Sequence, residues 1–134
     1  MLNSAPASAV SSATASGKRV LIADDNRDWA RGMAFCLEGE GFTVQTAHDG
    51  QDAVETVAWF RPSVAVLDIR MPRMTGYDAA RALAHLEPRQ RPTLIAVTAW
   101  PGESGRQRAL LAGFDRYLAK PSEPALLIEL LRSL

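Results

Sequence analysis

Asp24 and Asp25 stand side by side after the apolar run Val20–Ala23, and a third carboxylate, Asp68, follows the run Val64–Leu67. Thr98 closes the run Leu94–Val97, and Lys120 follows Tyr117-Leu118-Ala119. Three carboxylates brought together repel one another unless protons or a cation neutralise them. No Cys or His lies within these motifs, so the matching cation is a hard, oxygen-binding one. Mg2+ fits, because it is held by one or two carboxylates, carbonyl oxygen and water, with positions left for phosphate oxygens. A lysine ammonium adds a compact point charge for a phosphoryl oxygen, and a threonine hydroxyl adds a hydrogen bond to another. A carboxylate can also act as the nucleophile and form an aspartyl-phosphate. Such a set suits phosphoryl transfer, where positioning and charge neutralisation carry most of the catalysis. Taken singly, an Asp after a strand is usually a helix cap or turn former. Only an arrangement that delivers all of them to one place favours the chemistry.

The elements that must position these residues follow from hydrophobic periodicity. Short β-branched runs predict strands at Arg19–Ala23, Thr43–Thr46, Ser63–Leu67, Thr93–Val97 and Asp115–Leu118. Runs of 3.6-residue period between them predict helices at Arg27–Glu40, Gly50–Phe60, Tyr77–His85 and Glu103–Ala112, and a last helix at Pro124–Leu134. Pro124 suits a first helical turn with Ser122 as its cap, and Gly41 and Gly113 follow helices where a left-handed residue is often required. Near-continuous apolar strands alternating with helices indicate an α/β fold, a (βα)5 doubly wound, five-stranded parallel sheet covered on both faces. In such sheets ligands bind outside the carboxyl ends of the strands. Asp24, Asp25, Asp68, Thr98 and Lys120 all stand at those ends, so for the group the reading as isolated caps fails.

Composition narrows the function further. The chain has 134 residues, 47% of them hydrophobic, which predicts one domain with one core. One cysteine excludes a disulfide scaffold and a multi-cysteine zinc site, and fits a reducing compartment. With 15 basic and 15 acidic residues the formal net charge is zero, which argues against nucleic acid or an anionic membrane as main partner. Almost all the cations are Arg, the exceptions being Lys18 and Lys120. Residues 1–17, rich in Ser and Ala and without side-chain charge, read as a disordered tail ahead of a domain at 18–134. They lack the basic start and unbroken apolar stretch of a secretory signal, and no run reaches the length needed to span a bilayer. A cytoplasmic protein is the expectation.

With the motifs placed, the chain resembles the receiver domain of two-component response regulators. The resemblance rests on Asp24-Asp25, on Val66-Leu67-Asp68-Ile69-Arg70-Met71-Pro72 through Gly76, on Val97-Thr98-Ala99 and on Tyr117-Leu118-Ala119-Lys120-Pro121, in that order over roughly residues 19–134. Ala112-Gly113-Phe114-Asp115 and the Ala99-Trp100 pair look more like receivers attached to hybrid sensor kinases than like those preceding DNA-binding domains. The resemblance implies that Asp68 is the phosphoacceptor and receives phosphoryl from a histidine kinase or histidine phosphotransfer protein. It implies that Asp24, Asp25, Asp68 and the backbone carbonyl of Arg70 hold Mg2+, and that Thr98 and Lys120 each meet a phosphoryl oxygen. Tyr117 matches the aromatic that turns inward when the segment at Thr98 closes, and the Lys120–Pro121 bond matches a cis peptide. The implied protein catalyses only its own phosphorylation and dephosphorylation. No segment reads as an output domain, so its effect would pass through protein contacts, as a stand-alone regulator or a relay.

Several positions keep two readings at this level. Tyr117 reads equally as a static strand residue. Arg70 and Trp100 beside the phosphoacceptor read either as ordinary surface side chains or as a shield that keeps water from the acyl phosphate. Trp29, Met33, Cys36 and Leu37 share a stripe assigned to the core, which leaves Phe35 exposed near the Asp24-Asp25 edge, as an incidental aromatic or as an anchor for a helical phosphodonor. Leu126, Leu127, Leu130, Leu131 and Leu134 give the last helix a wide apolar face, with Ile128 off the stripe, which suits either deeper burial or a homodimer. Two other classes stay open: a metal-dependent phosphohydrolase using Asp68, for which Arg70 replaces the expected second acid, and a pseudo-receiver acting as an interaction module alone.

Overall fold

The computed structural model describes residues 17–99, 103–120 and 123–134. Five strands, β1 (Arg19–Ala23), β2 (Thr43–Ala47), β3 (Val64–Asp68), β4 (Thr93–Thr98) and β5 (Arg116–Ala119), alternate with five helices, α1 (Arg27–Gly39), α2 (Gly50–Phe60), α3 (Gly76–Ala84), α4 (Glu103–Ala112) and α5 (Pro124–Arg132). The strands form one parallel sheet in the order β2-β1-β3-β4-β5. The chain therefore reverses its winding direction between β1 and β3, which opens a crevice at their carboxyl ends.

The alternation of side chains along each strand divides the core into two layers. Leu21, Ala65, Leu67, Leu94 and Ala96 pack under α2, α3 and α4, whereas Val20, Ile22, Val64, Val66, Ile95 and Val97 pack under α1 and α5. Each large aliphatic buried in this way contributes about 1.5–3 kcal/mol, so both faces of the central strands oppose any slip in register. Asn26, Asp49 and Thr75 cap α1, α2 and α3 by accepting the backbone N–H of Trp29, Asp52 and Asp78. Gly41 and Gly113 adopt φ values of 97° and 114°, the left-handed conformation expected of them after α1 and α4.

Some local expectations change. β3 and β4 each run one residue further than the periodicity predicts, so Asp68 and Thr98 are the last residues of strands rather than the first residues of loops. The N-cap position of α5 falls on Glu123, which makes no side-chain cap bond, and Ser122 lies outside the described residues. On α5, Leu127 and Leu131 are buried and Ile128 packs beside them, while Leu126 faces outward. The buried face is thus centred on the 127–131 line, which draws Ile128 in. Lys18, with no task evident in the sequence, places its ammonium 3.2 Å from the carbonyl of Leu131 and 3.4 Å from that of Leu134. It meets carbonyls that the end of a helix leaves unpaired, where positive charge is favoured.

Candidate functional site

Register explains how residues far apart in sequence meet. Ala23 pairs with Leu67, so the next residues, Asp24 and Asp68, are neighbours on adjacent strands. Asp68 pairs with Val97 and Thr98 with Ala119, which sets Thr98 and then Lys120 further along the same edge. The Asp24 N–H donates to the Ala47 carbonyl at 3.0 Å, and the Lys120 N–H donates to the Thr98 carbonyl at 2.7 Å. These ladder bonds fix the backbone beneath both charges.

Carboxylate oxygens of Asp24, Asp25 and Asp68 all lie within 4.8 Å of one another. Asp24 is fully buried, Asp68 nearly so, and Asp25 is exposed. The three acids do not share their compensation evenly. Asp24 accepts the Asn26 N–H at 2.9 Å and the Lys120 ammonium at 2.5 Å. Asp68 receives a long contact from the Arg70 N–H at 3.4 Å and lies 3.6 Å from the same ammonium. Burial, and then the negative charge of Asp24, push the Asp68 carboxyl up to about 6 against the opposing pull of Lys120. One lysine thus serves two buried acids and stands closer to the one that is not the expected acceptor.

The donor set fits a hard divalent cation. It offers carboxylate oxygens without sulfur or imidazole, and the charge imbalance that raises the Asp68 carboxyl is one that such an ion relieves.

Other predicted residues take defined places. Thr98 is buried on β4, with the hydroxyl-bearing residue part of the ladder rather than on a loop. Tyr117 is half-buried on β5 near Tyr77, and burial raises its phenol above the usual range. Arg70 is exposed beside Asp68. Trp100 and the Lys120–Pro121 bond lie outside the described residues. Phe35 is 77% exposed and borders a groove with Arg27, Arg31 and His48, and His48 Nδ1 lies 3.3 Å from the Asp24 carbonyl. That groove opens beside the acidic edge.

Two contributions escape sequence reasoning. Trp29 packs against the core as its stripe predicts, but its ring also lies 4.7 Å from the Lys120 ammonium, a cation–π arrangement that holds the lysine over the carboxylates. Arg73, in the left-handed conformation at φ 67°, forms an ion pair at 2.6 Å with Asp49, the cap of α2. The backbone N–H of Asp52, assisted by Arg73, holds the Asp49 carboxyl below its usual range. This pair fastens the loop after Asp68 to α2. Two glycines let the loop approach: a Cβ on Gly76 would stand 2.3 Å from the Asp68 carbonyl oxygen, and one on Gly50 would stand 2.0 Å from that of Met74.

Comparison with known proteins gives a consistent result. A family model described as the response regulator receiver domain matches residues 20–132. A 14.6 kDa protein of Leptolyngbya boryana is 34% identical over 113 residues, 84% of this chain and 86% of that protein. The response regulator MprA of Mycobacterium ulcerans is 40% identical over 103 residues, 77% of this chain but 44% of the regulator, so the chain spans less than half of that relative. Among solved structures, the receiver domain of a Pseudomonas aeruginosa sensor histidine kinase superposes with a TM-score of 0.79 at 31% identity, covering 88% of this chain and 97% of that one, and it holds a magnesium ion in its active-site cleft.

Proposed function

The chain belongs to the response regulator receiver family, and from that premise we propose that Asp68 accepts a phosphoryl group in a Mg2+-dependent reaction with a phosphohistidine donor. The observation that carries this reading is the under-compensated Asp68 carboxylate, buried beside Asp24 with Lys120 at 3.6 Å. In the transfer, an Asp68 carboxylate oxygen forms the new P–O bond as the donor's P–N bond breaks, and the imidazole leaves with the bonding pair and takes up a proton. Asp24, Asp25, Asp68 and the Arg70 carbonyl are the ligands we assign to the cation. When bound, it neutralises the carboxylates and the incoming phosphoryl oxygens.

The remaining work falls to the chain's own residues. Phosphorylation replaces one negative charge by about two and adds acceptor oxygens. Lys120, poised between Asp24 and Asp68, is then drawn toward the acceptor, while Trp29 keeps its ammonium over the site. The Thr98 hydroxyl binds a second phosphoryl oxygen, and Tyr117 takes up the space this movement leaves. The state so formed is read by protein partners, and no substrate other than the chain itself is turned over. Phe35 and its groove dock a helical donor, either a histidine kinase or a histidine phosphotransfer protein.

Incubation with a small phosphodonor and Mg2+ tests the core of this reading. The mass of one phosphoryl group should appear on the wild-type chain and be absent from Asp68→Asn, and incorporation into both would refute it. Phe35→Ala should lose phosphorylation by a kinase and retain that by the small donor. Equal loss of both would remove the docking role.

A further inference from the structure

The opposite edge of the sheet, where β1 and β3 begin, carries a cleft of about 530 Å3. Lys18, Arg19, Arg61, Arg89 and Arg91 line it, and no acidic residue does. In a chain of zero net charge this is a local excess of cation. The five are held differently. Arg91 is neutralised by Asp115 at 3.1 Å and also donates to the Gly113 carbonyl at 2.8 Å. Lys18 lies on the carbonyls at the end of α5. Arg19 donates from Nε to the Phe60 carbonyl at 2.9 Å and from Nη2 to the Arg61 carbonyl at 2.9 Å. Those bonds fix its guanidinium without cancelling the charge. The guanidiniums of Arg61 and Arg89 make no hydrogen bond and no ion pair among the described residues.

Arg61 is the telling member. It is the C-cap of α2 at φ 53°, the left-handed conformation that glycine adopts freely and that costs other residues about 1 kcal/mol or more. The backbone has reasons to be there, since its N–H donates to the Val57 carbonyl and its own carbonyl accepts from Arg19. Glycine would satisfy both. The side chain that is present instead makes no hydrogen bond or ion pair among the described residues and borders the cleft. Strain retained around an unpartnered functional group points outward, to a ligand.

We propose that this cleft binds a small molecule bearing adjacent phosphoryl groups, of the diphosphate class. Guanidinium forks pair with phosphate oxygens in bidentate fashion, and Arg19, Arg61 and Arg89 offer three whose charge no carboxylate meets among the described residues. Gln90 adds a side-chain amide donor on the same wall. The volume is that of a small-ligand site, and the charged lining suits an anion rather than an apolar helix or acyl chain. The site is independent of Asp68, one strand length away, about 16 Å for a five-residue strand.

The test is a titration of the 15N-labelled full chain with inorganic pyrophosphate, without divalent cation and at constant ionic strength. Saturable shifts are expected at the side-chain Nε–H groups of Arg61 and Arg89 and at the Gln90 amide. Affinity should be at least tenfold tighter than for orthophosphate. The double variant Arg61→Gln/Arg89→Gln should weaken it at least tenfold, and Asp68→Asn should leave it unchanged. Equal affinity for orthophosphate and pyrophosphate, or a drift without saturation, would reduce the cleft to a counter-ion atmosphere and overturn the proposal. Tighter binding of an oligoglutamate peptide than of pyrophosphate would overturn it in favour of an acidic protein segment.

Discussion

The two ends of one sheet have been charged in opposite ways and at different depths. At the carboxyl ends, acids are sunk into the fold and share one lysine. At the amino ends, arginines rim an open cleft, Arg19 resting on backbone carbonyls and Arg91 paired with Asp115. The same strands make both, so the difference lies in desolvation. Water already screens the basic edge, where an added ion pair is worth little. The acidic edge has lost that screening, so its charges are expressed as a shifted protonation equilibrium and as demand for a cation. A buried charge imbalance shifts protonation and favours a bound cation, whereas an exposed one is left to the solvent.

The sharpest way to break this contrast is to remove the shared cation. Lys120→Met leaves Asp24 buried without its ammonium, and stability at pH 8 should fall by about 4 kcal/mol in chemical denaturation, with phosphoryl incorporation lost. A variant as stable as wild type would show that the acidic edge is not held by its lysine.

Protonation gives the next largest effect. The Asp68 carboxyl is raised from 3.8 to about 6, so the folded chain binds the proton more tightly than the unfolded one. The stabilisation this brings is complete below pH 4 and is lost as the pH rises through 6, amounting to about 3 kcal/mol. Without divalent cation, the difference in unfolding free energy between wild type and Asp68→Asn should therefore widen in favour of the variant between pH 4 and pH 7. Mg2+ should narrow it. A flat difference would mean that Asp68 does not feel its neighbours.

Steric strain comes third. Gly76→Ala presses a methyl group against the backbone oxygen of Asp68, and thermal unfolding should report a loss of about 2 kcal/mol together with slower phosphorylation. The smallest effect should have the opposite sign and belong to the opposite edge. Arg61→Gly relieves the left-handed backbone and should stabilise the chain by about 1 kcal/mol while weakening pyrophosphate binding. Destabilisation there would show that the Arg61 side chain supports the fold.

Most of the acidic edge was legible in the sequence because strand ends are legible. Apolar runs stop where polar residues begin, and a parallel sheet aligns those stops, so Asp24, Asp68, Thr98 and Lys120 could be gathered before any coordinates. The exposure of Phe35 followed from helical period alone. What was hidden depended on contacts between segments distant in the chain. Trp29 shares the period of the α1 core residues, and nothing local reveals that a lysine from the end of β5 rests on its ring. Arg61 and Arg73 adopt left-handed backbones that sequence reserves for glycine, because each is imposed by its surroundings rather than by propensity. The single-residue extension of β4 to Thr98 likewise reflects pairing with β5.

The stacking of Lys120 on Trp29 also gives the molecule a built-in optical signal. An indole's emission responds to a charge held against its face, and here that charge sits 4.7 Å from the ring centre. Any event that draws the ammonium along the acidic edge changes the electric field at that one fluorophore. The chain has three tryptophans, so in a Trp59→Phe/Trp100→Phe background the remaining emission reads the position of Lys120 directly. A change in that emission on adding Mg2+ or a small phosphodonor is the expected outcome.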